Sequence, residues 1–126
     1  MADAALEFID LIGVPFEYKG RGPDTFDCYG LLRELYRRQG HDIPDYISPT
    51  DGARISALFA NQLVLWREVE PEPGAAVLIR VPGNMHCGML IDRHRFIHTW
   101  EGAGGVCIEE IDDWKSRVLG YYRYVG

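Results

Sequence analysis

Three side chains in this sequence have the chemistry that acyl transfer requires: one cysteine and two histidines. Cys28 begins an apolar stripe of helical period, directly after the polar segment Asp24–Asp27. In the first turn of a helix, unpaired backbone N–H groups and the helix dipole stabilise the nucleophilic thiolate. The same N–H groups can hold the oxyanion that forms when a thiolate adds to a carbonyl. The alternative is that Cys28 is a small buried apolar residue, so the interpretation depends on finding a base elsewhere.

The candidate base is one of two histidines on neighbouring predicted strands, His86 and His98. Directly opposed residues of an antiparallel pair share a face, and their index sum is constant along the pair. The two histidines therefore share a face only if the connecting loop has an odd number of residues. We predict the three-residue loop Asp92–His94 rather than a two-residue loop, because an imidazole base needs an orienting partner on its own side.

The same alternation assigns positions to the neighbours of these histidines. Gly88 lies beside His86 and leaves room for a substrate, whereas Cys87 points to the opposite face and cannot share a metal ion with His86. The three cysteines, at positions 28, 87 and 107, form no C-x-x-C pair. We therefore expect no structural zinc site and treat Cys87 and Cys107 as packing residues. Trp100, near His98, is either a core residue or an aromatic contact for a substrate.

The elements that must position these side chains follow from the apolar pattern. Ala4–Ile12 predicts a first helix, Phe16–Phe26 a loop, and the stripe after Asp27 a second helix that Gly40 ends. A third helix is predicted after Thr50 or Asp51, running through Leu63. Beyond Pro71–Gly74 the chain divides into five runs typical of strands: Ala76–Val81, Met85–Asp92, Arg95–Trp100, Val106–Ile111 and Leu119–Val125. Helices followed by an antiparallel meander predict an α+β fold.

Length and composition limit the classes of protein to consider. The chain has 126 residues, 47% hydrophobic and 25% charged, which predicts a single globular domain over residues 1–126. Its net charge of −6 argues against a nucleic-acid partner. No apolar run is long enough for a transmembrane helix, so we expect no membrane insertion. The first ten residues carry acids where a signal peptide needs a basic start, so we expect no export by the Sec pathway.

Several segments together resemble the NlpC-like cell-wall peptidases, a family of papain-like cysteine peptidases. The resemblance covers most of the chain. Phe26–Leu32 resembles the family's nucleophile segment, and Gly74–Val77 the glycine before a strand. His86–Leu90 resembles the base strand, and Phe96–Thr99 the third catalytic strand. Gly105–Val106 and Tyr121–Tyr124 resemble the closing strands.

The resemblance implies a role for each candidate residue. Cys28 would be the nucleophile, His86 the general base and acid, and His98 the residue that orients His86. Tyr18 matches the family tyrosine that assists the oxyanion, although Lys19–Gly22 departs from the usual aromatic and double-glycine pattern. No cofactor is implied.

Tyr29 departs from the family pattern, because secreted bacterial members usually have a small serine there. Together with Asp42–Tyr46, it resembles members found in the tails of bacteriophages and prophage-derived particles. The resemblance then implies a tail-tip hydrolase that cuts peptidoglycan stem peptides between D-glutamate and the diamino acid, alongside other tail-tip or hub proteins. Such a protein is made in the host cytoplasm and carried to the wall by the particle. The alternatives are a non-enzymatic tail-tip docking protein and a cytosolic Cys-His amidase or acyltransferase.

Overall fold

The computed structural model describes residues 7–44, 66–82 and 84–125. Within these ranges one α-helix, α1 (Cys28–Arg38), precedes six strands. The strands are β1 (Trp66–Glu68), β2 (Ala76–Val81), β3 (Asn84–Leu90), β4 (Arg95–Thr99), β5 (Val106–Glu110) and β6 (Val118–Tyr124). They form one antiparallel sheet in the order β1-β6-β2-β3-β4-β5. Short 3-10 helices lie at Ile9–Leu11, Glu101–Ala103 and Ile111–Arg117. The fold is thus mixed α/β with an antiparallel sheet.

Helix α1 begins and ends where its sequence predicts. Asp27 caps the start, because its Oδ1 accepts a hydrogen bond from the Gly30 backbone N–H at 2.6 Å. Gly40, just past the end, has a φ of 90°, a conformation in which glycine meets no steric penalty. The apolar stripe, Leu31, Leu32, Leu35 and Tyr36, is buried.

The sheet departs from a simple meander at its last strand. β2 to β5 follow one another in space as predicted, but β6 pairs with β2 instead of β5. The 3-10 helix Ile111–Arg117 makes this connection and buries Ile111 and Trp114 against the sheet. β1, which pairs with the outer edge of β6, was not predicted, because three residues are too few to show alternation.

Both faces of the sheet are apolar, and each is covered by a different element. On the helix face, Cys87, Met89 and Ile97 belong to the core that includes the α1 stripe. On the opposite face, Leu90 and Phe96 pack with Trp114 of the 3-10 helix. His86 alternates with Cys87, so the structure agrees with the prediction that these two neighbours point to different faces.

The predicted first helix over Ala4–Ile12 is wrong in its described part, which contains only the 3-10 turn Ile9–Leu11. Ile9 and Ile12 are 76% and 43% exposed, so the expected stripe is not buried. Backbone pairing explains the difference: the segment that follows bonds to Val106, whose O accepts from Gly13 N and whose N donates to Val14 O.

Two sequence predictions concern residues outside the described ranges. These are the start of the first helix and the whole of the third, from Thr50 to Leu63. In the part of the chain that the structure describes, no helix is long and apolar enough to cross a membrane.

Candidate active site

The loop before α1 determines where Cys28 lies. The Asp27 side chain, besides capping the helix, accepts from Lys19 N at 3.1 Å and pairs with Arg21 at 2.8 Å. Gly20 O accepts a hydrogen bond from Asp27 N at 3.1 Å. A Cβ on Gly30 would lie 2.0 Å from Gly20 O, so only glycine allows the loop to rest on the first helical turn. Cap and close approach together hold Cys28 as the first residue of α1.

Cys28 is partly exposed and has the environment of a thiolate. A hydrogen bond with the Cys87 thiol, followed by the hydrogen bond and charge of His86, holds the pKa of Cys28 well below its usual range, although burial opposes this. The pKa of Cys87 is raised, chiefly by its hydrogen bond with Cys28 and by burial. Cys28, and not Cys87, is therefore the candidate thiolate of this pair. The packing role predicted for Cys87 from the sequence does not include this contact.

The two histidines lie side by side, as the predicted loop length requires. β3 and β4 pair Met89 with Ile97 and Leu90 with Phe96, which confirms the three-residue loop. His86 Nε2 and His98 Nδ1 are 2.7 Å apart. Both rings are buried, with 6% and 0% of the residue exposed. Because this hydrogen bond occupies Nε2 of His86, its Nδ1 is the nitrogen left for Cys28.

A further acidic side chain, which the sequence analysis missed, extends this pair. Glu109 Oε2 lies 2.7 Å from His98 Nε2, and Glu109 Oε1 accepts from Trp114 Nε1 at 3.4 Å. β5 carries Glu109 on the same face as His98, because the register opposes Cys107 to His98. Alternation within the predicted run Val106–Ile111 puts Cys107 and Glu109 on one face. The long, glycine-rich connection before it does not indicate which face that is.

His98 is neutral at physiological pH. Burial, followed by the neighbouring charge of His86, lowers its pKa to about 4, although Glu109 acts in the opposite direction. A neutral imidazole has one donating and one accepting nitrogen, so the two partners of His98 must have complementary roles.

Gly88 does not leave room for a substrate, which corrects the expectation from sequence. A Cβ there would lie 2.8 Å from Ile97 O and 2.9 Å from His98 Cβ. The missing side chain instead makes space for His98 itself.

Two other predicted residues lie nearer the surface. Trp100 is 37% exposed, and its ring contacts Trp114 edge to face at 5.8 Å. Tyr18 is half exposed on the loop before α1, edge to face with Phe16 at 5.1 Å. The substrate contact of Trp100 and the oxyanion role of Tyr18 stay predictions.

Among the described residues, His98, Cys107 and Glu109 each offer one donor atom within 4.8 Å of the others, a spacing that could hold a metal ion. The 2.7 Å separation of His98 and Glu109, however, is that of a direct hydrogen bond. We therefore treat the group as a hydrogen-bonded cluster and not as a set of metal ligands.

The chain belongs to the NlpC/P60 family, whose model matches residues 13–123. No curated protein matches the chain. The fold is similar to that of an NlpC/P60 family protein from Bacillus cereus, with a TM-score of 0.68 and 20% identity over 98% of this chain and 41% of that one. An NLP/P60 lipoprotein-like protein from Staphylococcus aureus gives a TM-score of 0.67 and 19% identity over 94% and 39% of the two chains.

The NlpC/p60 domain of the peptidoglycan hydrolase SagA is also similar, with a TM-score of 0.57 and 22% identity over 88% of this chain and 86% of that domain. At these identities the solved structures are evidence for the fold. The chain spans about two fifths of the length of the B. cereus and S. aureus proteins.

Proposed function

We propose that this chain is a cysteine peptidase that hydrolyses the stem peptides of peptidoglycan. The observation that carries the proposal is the arrangement of Cys28 at the start of α1, beside a histidine whose far nitrogen is bonded to a second histidine. Membership of the NlpC/P60 family supports the reaction class, and the similar domain of SagA, a peptidoglycan hydrolase, supports the substrate.

In this mechanism Cys28 and His86 share the chemistry. The thiolate of Cys28 attacks the peptide carbonyl carbon, a C–S bond forms, and the carbonyl electron pair moves to oxygen. Backbone N–H groups at the start of α1 stabilise this oxyanion, with Tyr18 as a second donor. His86 Nδ1–H protonates the leaving amine as the C–N bond breaks. Water, deprotonated by His86, then attacks the acyl-enzyme and releases Cys28. His98 keeps the His86 ring oriented throughout.

The bond cut and the place of action are finer proposals. We infer cleavage between D-glutamate and the diamino acid, by a protein of a phage or phage-like tail tip that associates with other tail-tip or hub proteins. The support is the position of Tyr29, where secreted members usually carry serine. Its hydroxyl donates to Pro44 O, and Arg21 lies 5.6 Å from its ring centre, so this side chain connects the loop, the helix start and the segment after α1. Neighbouring genes that encode tail proteins would support this assignment.

Digestion of purified peptidoglycan tests the reaction. Wild-type protein should release soluble muropeptides, and mass spectrometry should show a new amine on the diamino acid. Cys28→Ala should release none, because it lacks the nucleophile, whereas Cys107→Ser should stay active. Equal inertness of wild type and Cys28→Ala would contradict the proposal.

Alkylation by iodoacetamide separates an enzyme from a docking protein. At pH 6 Cys28 should react well ahead of Cys107, because the pKa of Cys28 is lowered and that of Cys107 is raised, chiefly by burial. Equal rates at the two cysteines would favour the docking protein.

A further inference from the structure

Glu109 lies at the end of a continuous line of hydrogen bonds that begins at the candidate base. His86 Nε2 and His98 Nδ1 are 2.7 Å apart, and His98 Nε2 and Glu109 Oε2 are also 2.7 Å apart. Both separations are at the short end of the range for nitrogen and oxygen groups that share a proton. The proposed mechanism uses the first of these contacts and leaves the second without a role.

The chemistry of a carboxylate determines where the proton of His98 lies. A carboxylate only accepts hydrogen bonds, so His98 Nε2 must donate to Glu109. Because His98 is neutral, its Nδ1 then carries a lone pair and accepts from His86 Nε2–H. His86 in this arrangement retains Nε2–H in both of its protonation states, and its Nδ1 gains and loses the proton that faces Cys28.

The opposite tautomer of His98 would work against the reaction. With the proton on Nδ1, His98 would donate a hydrogen bond to His86 Nε2. His86 could then not become an imidazolium, because its own Nε2–H would face the Nδ1–H of His98. Since the thiolate of Cys28 is paired with the imidazolium form of His86, this tautomer would disfavour the nucleophile as well.

We propose that Glu109 is a positioning residue that fixes His98 in its Nε2–H tautomer and so, through His98, stabilises the protonated form of His86. This inference rests on the proposed peptidase function. Glu109 does not touch the reacting atoms; it acts through His98.

The surroundings of His98 support a directed contact between these two residues. The His98 side chain is fully buried, whereas that of Glu109 is 35% exposed. The ring centres of Phe96 and His98 are 4.2 Å apart, and the Trp114 ring lies edge to face with the His98 ring, with their centres 5.2 Å apart. Trp114 also donates to the second oxygen of Glu109. The carboxylate is therefore held by an element, the 3-10 helix, that packs on the same ring.

The other ionisable groups near His98 do not provide an alternative acceptor for Nε2. His86, on β3, contacts Nδ1. Cys107, on β5, is directed to Glu109, with its sulfur 3.9 Å from Oε2. On the 3-10 helix, Arg117 lies over the Trp114 ring at 4.3 Å. Among these groups, Glu109 is the one bonded to His98 Nε2.

Two substitutions test the proposal, with Glu110→Gln, at the exposed end of the same strand, as the matched control. Glu109→Gln removes the charge and allows the amide to donate as well as accept. It should lower kcat roughly tenfold to a hundredfold, the range expected for losing a hydrogen bond to a charged group, with KM little changed. Glu109→Asp, which keeps the carboxylate, should recover part of that loss.

The pH dependence of Cys28 alkylation provides a readout that needs no substrate. Its midpoint should move upward by roughly one pH unit in Glu109→Gln, because the imidazolium partner of the thiolate is less stable. In a His98→Ala background the same substitution should have almost no effect, since Glu109 acts through His98. An unchanged midpoint in folded Glu109→Gln would overturn the proposal.

Nitrogen-15 NMR of the histidine side chains observes the tautomer directly. Wild-type His98 should give the spectrum of the Nε2–H form, and a Nδ1–H spectrum would refute the inference. These two measurements also separate this inference from the peptidase function: a protein inert on peptidoglycan can still show the midpoint shift and the Nε2–H tautomer. Full hydrolysis by wild type together with a Nδ1–H spectrum would leave the function standing and remove the role of Glu109.

Discussion

The candidate site combines two regions that are built in different ways. The nucleophile region comprises Lys19–Gly30, and its cap, its ion pair and the backbone bond from Asp27 N to Gly20 O join residues within this short segment. The histidine region consists of His86, His98 and Glu109, which come from three strands and meet only through the sheet. The first region depends on local chain geometry, and the second depends on strand register. Substitutions in the first should therefore change stability as well as activity, whereas those in the second should act mainly on the chemistry.

Among substitutions that leave Cys28 and His86 in place, His98→Ala should have the largest effect on activity. This substitution removes the partner of His86 and breaks its connection to Glu109, so the base loses its orientation. We expect kcat to fall roughly 10²-fold to 10⁴-fold, as when the orienting member of a catalytic triad is lost. Peptidoglycan turnover measures the change, and circular dichroism checks the fold. Wild-type turnover in the folded variant would show that the histidine region does not act as a unit.

Gly30→Ala should break the nucleophile region through stability. Its Cβ would lie 2.0 Å from Gly20 O, so the loop must move off the first turn of α1. The expected loss is about 1–3 kcal/mol in the free energy of unfolding, the usual cost of overpacking, measured by urea denaturation. Cys28 alkylation at pH 6 should slow in parallel, because the loop no longer holds Cys28. An unchanged unfolding curve would mean that the loop contact does not stabilise the helix start.

Asp27→Asn should have a smaller effect, because it separates the helix cap from the ion pair at the start of α1. Asparagine can still accept from Gly30 N, so the cap survives, but the ion pair with Arg21 is lost. We expect a loss of less than about 1 kcal/mol in unfolding free energy, with Asp27→Ala costing more. Because the charge of Asp27 raises the pKa of Cys28, its removal should move the midpoint of Cys28 alkylation slightly downward. A midpoint that moves upward would contradict this view of Asp27.

The helix start was predictable because its signals are close together in sequence. An acceptor side chain, an apolar stripe and a terminal glycine indicate a helix that begins at Cys28 and stops before Gly40, without reference to the rest of the chain. The register of β3 with β4 was predicted differently, by choosing a three-residue over a two-residue loop because an imidazole base needs an orienting partner on its own side. The predicted helix over Ala4–Ile12 failed because its apolar spacing competes with backbone pairing to Val106, about ninety residues away in the chain.

Signals close together in the chain predicted the capped start of α1 at Cys28, the alternation that separates His86 from Cys87 and, with a three-residue loop, the shared face of His86 and His98. Three long-range contacts, by contrast, are seen only in the folded chain: Cys87 beside Cys28, Gly88 against His98, and Glu109 at the end of the line of hydrogen bonds. The two groups of contacts differ in how far apart along the chain the contacting residues lie. Caps, turns and hairpins depend on neighbouring residues, whereas the contact between β5 and His98 depends on a register that a glycine-rich connection does not specify.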